Sequence, residues 1–167
     1  MKSKLLSSLF IASAAFLSAS CSSVDDERIP PANVNIVFST IGEWEIYGVA
    51  GAGDSREFIV SERVPAGFPY KGLEGTGYGG LLLLADPLGE FRVFDLACPV
   101  CVPKISRIRP DKDSNTAGIY RCPTCNSTYD TYALGTPHSG PALSDKYGLQ
   151  RYRITVGGLS PYAVISR

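Results

Sequence analysis

The chain has 167 residues, of which 44% are hydrophobic, and its 16 basic and 16 acidic side chains leave a net charge of +0. That balance excludes a nucleic-acid or membrane-surface reader built on basic charge. A single histidine excludes any site needing two or three imidazoles, and 17 glycines with 12 prolines favour turns and short strands over long helices.

At the start, Lys2 and Lys4 precede the apolar run 5–17, and small residues lead to Cys21. This is the pattern of a secretory signal, too short to span a bilayer. Ser18-Ala19-Ser20-Cys21 resembles the lipobox of bacterial lipoproteins, with Leu17 one place upstream of the usual leucine. The resemblance implies that 1–20 is a signal peptide and that Cys21 becomes a lipid anchor, with the membrane as its partner. It also resolves the odd total of five cysteines into one anchor and four internal thiols. An ordinary secretory signal, leaving Cys21 free or disulfide-bonded, is the alternative.

Residues 21–33 read as a lipidated tether, acidic at Asp25, Asp26 and Glu27 and stiffened by Pro30 and Pro31. Acidic residues shortly after a lipidated cysteine resemble the surface-export signal of Bacteroidetes lipoproteins, although any solvated linker tends to be charged. Ser22 after the cysteine favours, by analogy, the outer membrane. The expected location is the cell envelope, on an outer membrane and exposed at its surface.

The rest, 34–167, reads as one β domain. Alternating or β-branched segments are expected as strands at 34–38, at 44–49 around Trp44 and, more weakly, at 58–60. The glycine- and proline-rich stretch 64–80 is expected to be irregular. Residues 81–84 and 91–94, joined by Asp86-Pro87-Leu88-Gly89, form an expected hairpin. Further strands are expected at 105–108 and 118–121. A second hairpin follows from alternating Tyr152, Ile154 and Val156, through Gly157-Gly158, into 162–165. Gly75, Gly77, Gly79 and Gly80 do not form a phosphate loop, since they precede a strand and no Gly-Lys-Ser/Thr follows. Trp44, the lone tryptophan, is assigned to the core.

The strongest chemical signal is Cys98-Pro99-Val100-Cys101 followed, after 102–121, by Cys122-Pro123-Thr124-Cys125. Two C-x-x-C turns offer four soft thiolates with the paired spacing that suits a tetrahedral ion. Proline at the second position presets φ for a tight turn. Asn126 after the second pair can adopt the left-handed conformation that such turns need, whereas Val102 after the first cannot do so cheaply. The two turns are expected to be unequal.

Cys122-Pro-Thr-Cys125-Asn-Ser127-Thr-Tyr129-Asp130, then Gly135-Thr-Pro137, Gly140-Pro-Ala142, Leu149 and Tyr152, resembles the second half of a Rieske iron–sulfur domain. Phe94-Asp95-Leu96-Ala97-Cys98 is similar to the strand that delivers that family's first cluster loop. The resemblance covers 81–167. It implies an all-β, Rieske-like small β-sandwich with a two-loop metal-binding subdomain at about 95–142. It also implies that Cys98 and Cys122 take the family's cysteine positions, and that Ser127 takes that of a serine bonded to cluster sulfur. The chain departs from the family in that Cys125 stands where the second histidine belongs and Asn126 replaces a glycine. Val100 fills the first histidine's position, with Cys101 one residue later. With His138 outside both ligand positions, a two-histidine Rieske centre cannot form.

The thiols therefore admit three readings. The first is a 2Fe–2S cluster or a single iron on Cys98, Cys101, Cys122 and Cys125, implying one-electron transfer and a redox protein partner. The second is a closed structural Zn²⁺ site. The third is two disulfides, as an exported protein allows. A catalyst is disfavoured: the oxygenases of the resembled family carry an iron domain for which this chain lacks length and imidazoles. Thiol–disulfide exchange would need a βαβ setting that the sequence does not offer.

Overall fold

The computed structural model describes residues 23–167, so the expected signal peptide and the Cys21 anchor lie outside the described residues. Thirteen elements follow in order: β1 (Val34–Phe38), α1 (Ile41–Tyr47), β2 (Ser55–Phe58), β3 (Gly75–Thr76), β4 (Leu81–Ala85), β5 (Phe91–Asp95), β6 (Arg109–Pro110), β7 (Ile119–Arg121), β8 (Thr128–Asp130), β9 (Thr136–Ser139), α2 (Pro141–Asp145), β10 (Arg151–Val156) and β11 (Ala163–Ser166). Seven strands form one antiparallel sheet in the order β2-β4-β5-β10-β11-β1-β3, and β6-β7-β8-β9 form a second, small sheet. The large sheet curls into a nearly closed barrel: just past edge strand β2, the Val60 amide donates to the hydroxyl of Thr76 on the other edge strand, β3, at 3.2 Å. The class is all-β, and the small sheet carries the second cysteine loop, while the first follows β5 of the large sheet. Among the described residues no helix is long and apolar enough to cross a membrane.

Both expected hairpins form. β4 pairs with β5 from Leu81–Asp95 to Ala85–Phe91, and β10 pairs with β11 from Arg153–Ser166 to Val156–Ala163. At the first turn the Asp86 carboxylate accepts from the Leu88 and Glu90 amides, each at 2.9 Å. β4 is buried along its whole length because both its faces are covered. Leu81, Leu83 and Ala85 point into an aromatic core, while Leu82 and Leu84 join a second core that contains Cys98 and Cys122. This strand is the wall between the barrel and the cysteine loops. In the first core the Phe38 ring meets the rings of Trp44, Phe58 and Phe68 edge-on at 5.1, 5.8 and 5.5 Å.

The stretch 44–49 is not a strand. Its residues 44–47 belong to α1, capped by Thr40, whose hydroxyl accepts from the Glu43 amide at 3.2 Å, while the Glu43 carboxylate accepts from the Ser39 amide at 2.5 Å. Thr40-x-x-Glu43 has the spacing of a capping box, with Glu43 reaching back to Ser39, and this local signal overrides the β-branched and aromatic composition that suggested a strand. The core role of Trp44 holds, at 8% exposure. The strand expected at 58–60 lies earlier, at β2; beyond Phe58 the chain pairs only through an Ile59–Val64 bridge and turns at Val60–Glu62. Residues 64–80 are irregular apart from β3. Residues 105–108 run beside 96–98 through a single Ala97–Arg107 bridge, and β6 begins only at Arg109.

Part of the expected tether is fastened to the domain. The Asp25 amide donates to the Lys146 carbonyl and its own carbonyl accepts from Gly148, both at 2.8 Å. The Asp26 carboxylate pairs with Arg151 at 2.6 Å, and Ile29 is buried.

Candidate metal centre

The first loop is delivered by the end of β5, where Asp95 organises three chain segments. Its carboxylate accepts from the amides of Tyr78, Gly79 and Ala97 at 2.7, 2.9 and 2.8 Å and from the Tyr152 hydroxyl at 2.9 Å. Burial pushes this carboxyl up, while the four donors pull it back toward the charged form. Cys98 follows three residues later, its amide bonded to the Ser106 carbonyl at 2.8 Å, so the loop returns alongside itself. The second loop is the β7–β8 turn of the small sheet. Gly135, at φ +75°, lets the turn between β8 and β9 settle on the barrel: a Cβ there would meet Phe94 at 2.7 Å and Leu149 at 2.9 Å.

The two turns bring all four predicted cysteines together. Their Sγ atoms lie within 4.8 Å of one another. Two approaches, Cys98–Cys125 and Cys101–Cys122, are both 3.6 Å and both cross between the loops. All four are free thiols, with the sulfurs well beyond the roughly 2.05 Å of a disulfide bond. Cys98 and Cys122 are 0% exposed, whereas Cys101 and Cys125 are half-buried at the rim.

The turns differ as expected. Asn126 adopts φ 59°, and its amide bonds the Cys122 carbonyl at 3.0 Å. The amides of Thr124 and Cys125 face the Cys122 sulfur. After the first pair the chain instead continues through a cis Val102–Pro103 bond, with the Lys104 amide on the Cys101 carbonyl at 3.0 Å.

Three hydroxyls reach the sulfurs. Tyr129 contacts Cys98 Sγ at 3.1 Å, Ser106 contacts Cys122 Sγ at 3.2 Å, and Ser127 lies 3.2 Å from Cys125 Sγ while accepting the Ala142 amide at 3.0 Å. The Cys98 thiol, the Ser106 hydroxyl and the two turn amides, acting against burial, lower the Cys122 thiol to about 4. The hydrogen bond to Cys122 and burial push Cys98 up, and burial with the same neighbour pushes Cys101 up to about 12.

Ser127 stands where the sequence places it. Tyr129 is part of the quoted motif, but its contact with Cys98 appears only in three dimensions. Ser106 gives no sequence signal at all, because it lies in a stretch read as strand. His138 is exposed on β9, outside the thiol group.

An antiparallel β body whose two C-x-x-C loops gather four thiols defines the class of this protein. No protein-family model matches the chain, and no curated protein does. Among solved structures, a quaternary ammonium Rieske monooxygenase, described with carnitine oxidation by gut microbiota, aligns over 81% of this chain and 31% of its own, at 11% identity and TM-score 0.47. The chain thus spans less than a third of that enzyme's length. Of the residues that carry the Rieske resemblance, Ser127, Tyr129, Asp130, Gly135, Pro137 and Gly140 to Ala142 fall in the small sheet, its turns and the start of α2, whereas Phe94, Asp95 and Tyr152 lie on β5 and β10 of the large sheet.

Proposed function

We propose that this chain is an envelope lipoprotein that binds metal through Cys98, Cys101, Cys122 and Cys125 in a Rieske-like frame and carries single electrons to and from a redox protein partner. The observation that supports it is the hydroxyl on three of the four sulfurs. A structural staple needs only ligands, whereas donors aimed at thiolates tune a metal's redox behaviour. Iron bound here would supply a one-electron couple. Ser106, Tyr129 and Ser127 would each turn a proton onto a sulfur, since a metal-bound thiolate accepts and no longer donates. That stabilises the more negative, reduced state. Cys101 and Cys125, at the rim, would face the partner, and β4 keeps water from the other side.

The test is the visible spectrum and electrochemistry of protein purified anaerobically. A coloured, iron-bearing protein with a reversible one-electron couple is the expected result, and Tyr129→Phe should lower the potential while leaving metal content unchanged. A colourless protein holding zinc would overturn the carrier role. It would leave the second reading, a zinc staple, which the complete burial of Cys98 and Cys122 within the second core favours.

The anchor is part of the same proposal. Three residues separate Cys21 from Asp25, and the four Cα steps reach at most about 14 Å, so the domain would be held close to the outer membrane. Cys21→Ser should move the protein from the membrane to the soluble fraction with unchanged metal content. Retention of that variant in the membrane pellet would remove the anchor.

A further inference from the structure

We infer that the two loops enclose one metal ion, tetrahedral in four thiolates, and not the binuclear 2Fe–2S cluster that the Rieske resemblance implies. The inference rests on the four-thiolate reading above and deepens it by counting the metal atoms the site takes.

Spacing is the first ground. Four thiolates about 2.3 Å from a central ion stand about 3.8 Å apart along each edge of their tetrahedron. Here two pairs of Sγ atoms are 3.6 Å apart, and no pair exceeds 4.8 Å. A 2Fe–2S core sets two bridging sulfides between its irons, so thiolates on opposite irons are held apart by the whole core. However the four cysteines are divided into two iron-bound pairs, the remaining cross pairs must all be long. None of them is.

The pairing is the second ground. By position, the family's pattern puts Cys98 and Cys122 on one iron and leaves Cys101 and Cys125 for the other. Cys98 would then face Cys125, and Cys101 would face Cys122, across the core. Those are the two contacts at 3.6 Å. The same two contacts would lie across the core if each loop took one iron. The last division, Cys98 with Cys125 and Cys101 with Cys122, would send Cys122 and Cys125 to different irons. Yet their turn is closed around one point, with two amides on the Cys122 sulfur and left-handed Asn126 bonded back to the Cys122 carbonyl.

The hydroxyls agree. Ser127 matches a serine that in the family bonds cluster sulfur, but here it lies against the cysteine sulfur of Cys125, as Tyr129 and Ser106 lie against those of Cys98 and Cys122. The hydroxyls are spent on ligand sulfurs, in a group already dense enough to surround one ion.

Metal and acid-labile sulfide are to be measured on the full chain purified anaerobically from an iron-replete host able to build clusters, together with electron paramagnetic resonance. The ratio of sulfide to metal decides the matter, whatever the occupancy. The expected result is one iron or one zinc per site without labile sulfide and, for iron, a low-field high-spin ferric signal in the oxidised protein. Sulfide equal to iron, with a signal near the free-electron value that emerges only on reduction, would overturn the single ion and leave the four-thiolate carrier standing. Protein that holds no metal under these conditions would overturn both.

Discussion

Cys122→Ser is expected to strip the metal from the protein and loosen both cysteine loops. Cys122 is the most heavily supported of the four thiols: fully buried, 3.6 Å from Cys101, and approached by the Ser106 hydroxyl and two turn amides. A serine there offers a hard, weakly acidic oxygen and leaves three thiolates around an open charged ion in a buried pocket. Structural zinc contributes an apparent binding free energy of about 10–16 kcal/mol, comparable to the whole stability of a domain, about 5–15 kcal/mol. Loss of the ion should therefore dominate the behaviour of the loops. Elemental analysis should find no metal, and amide exchange at 96–108 and 122–130 should become fast. The β signal of the barrel should survive, because β4 separates the two cores. Unchanged metal content with unchanged exchange would remove the site.

Phe38→Ala probes the other core and should cost about 3–5 kcal/mol, the range for large aromatic truncations in a packed interior. Phe38 is fully buried and touches the rings of Trp44, Phe58 and Phe68, so its removal leaves three edge-to-face contacts without a partner. Denaturant unfolding should shift to a lower midpoint with little change in slope. Metal content of the folded fraction should not change, because Phe38 and the thiols sit on opposite faces of β4. A loss below about 1 kcal/mol, or parallel loss of metal, would contradict the two-core arrangement.

These two substitutions also mark how far the chain can be read before folding. The β4–β5 and β10–β11 hairpins are local, each set by turn residues between alternating or apolar runs, and they form in register. The left-handed Asn126 and the inequality of the two turns are local too, since they depend on which side chain follows each C-x-x-C. The helix α1 carried its own signal in Thr40 and Glu43, but Trp44, Ile46, Tyr47 and Val49 have the composition of a strand and masked it. The acidic run after Cys21 has the composition of a solvated linker. Nothing in it states that Asp25 would find the backbone of Lys146 and Gly148, because that pairing joins residues far apart in the chain.

By itself the sequence determined the class of fold, the two tight turns and the four sulfurs they present, because a three-residue spacing constrains the reach of two side chains wherever the turn lies. Only the tertiary structure decided that Cys98 meets Cys125 and Cys101 meets Cys122, and that Ser106 and Tyr129 stand beside those sulfurs. It also decided that β4 parts the thiols from the aromatic core. Each of these is a contact between segments distant along the chain, fixed by how the small sheet packs on the barrel, and no local pattern encodes that distance.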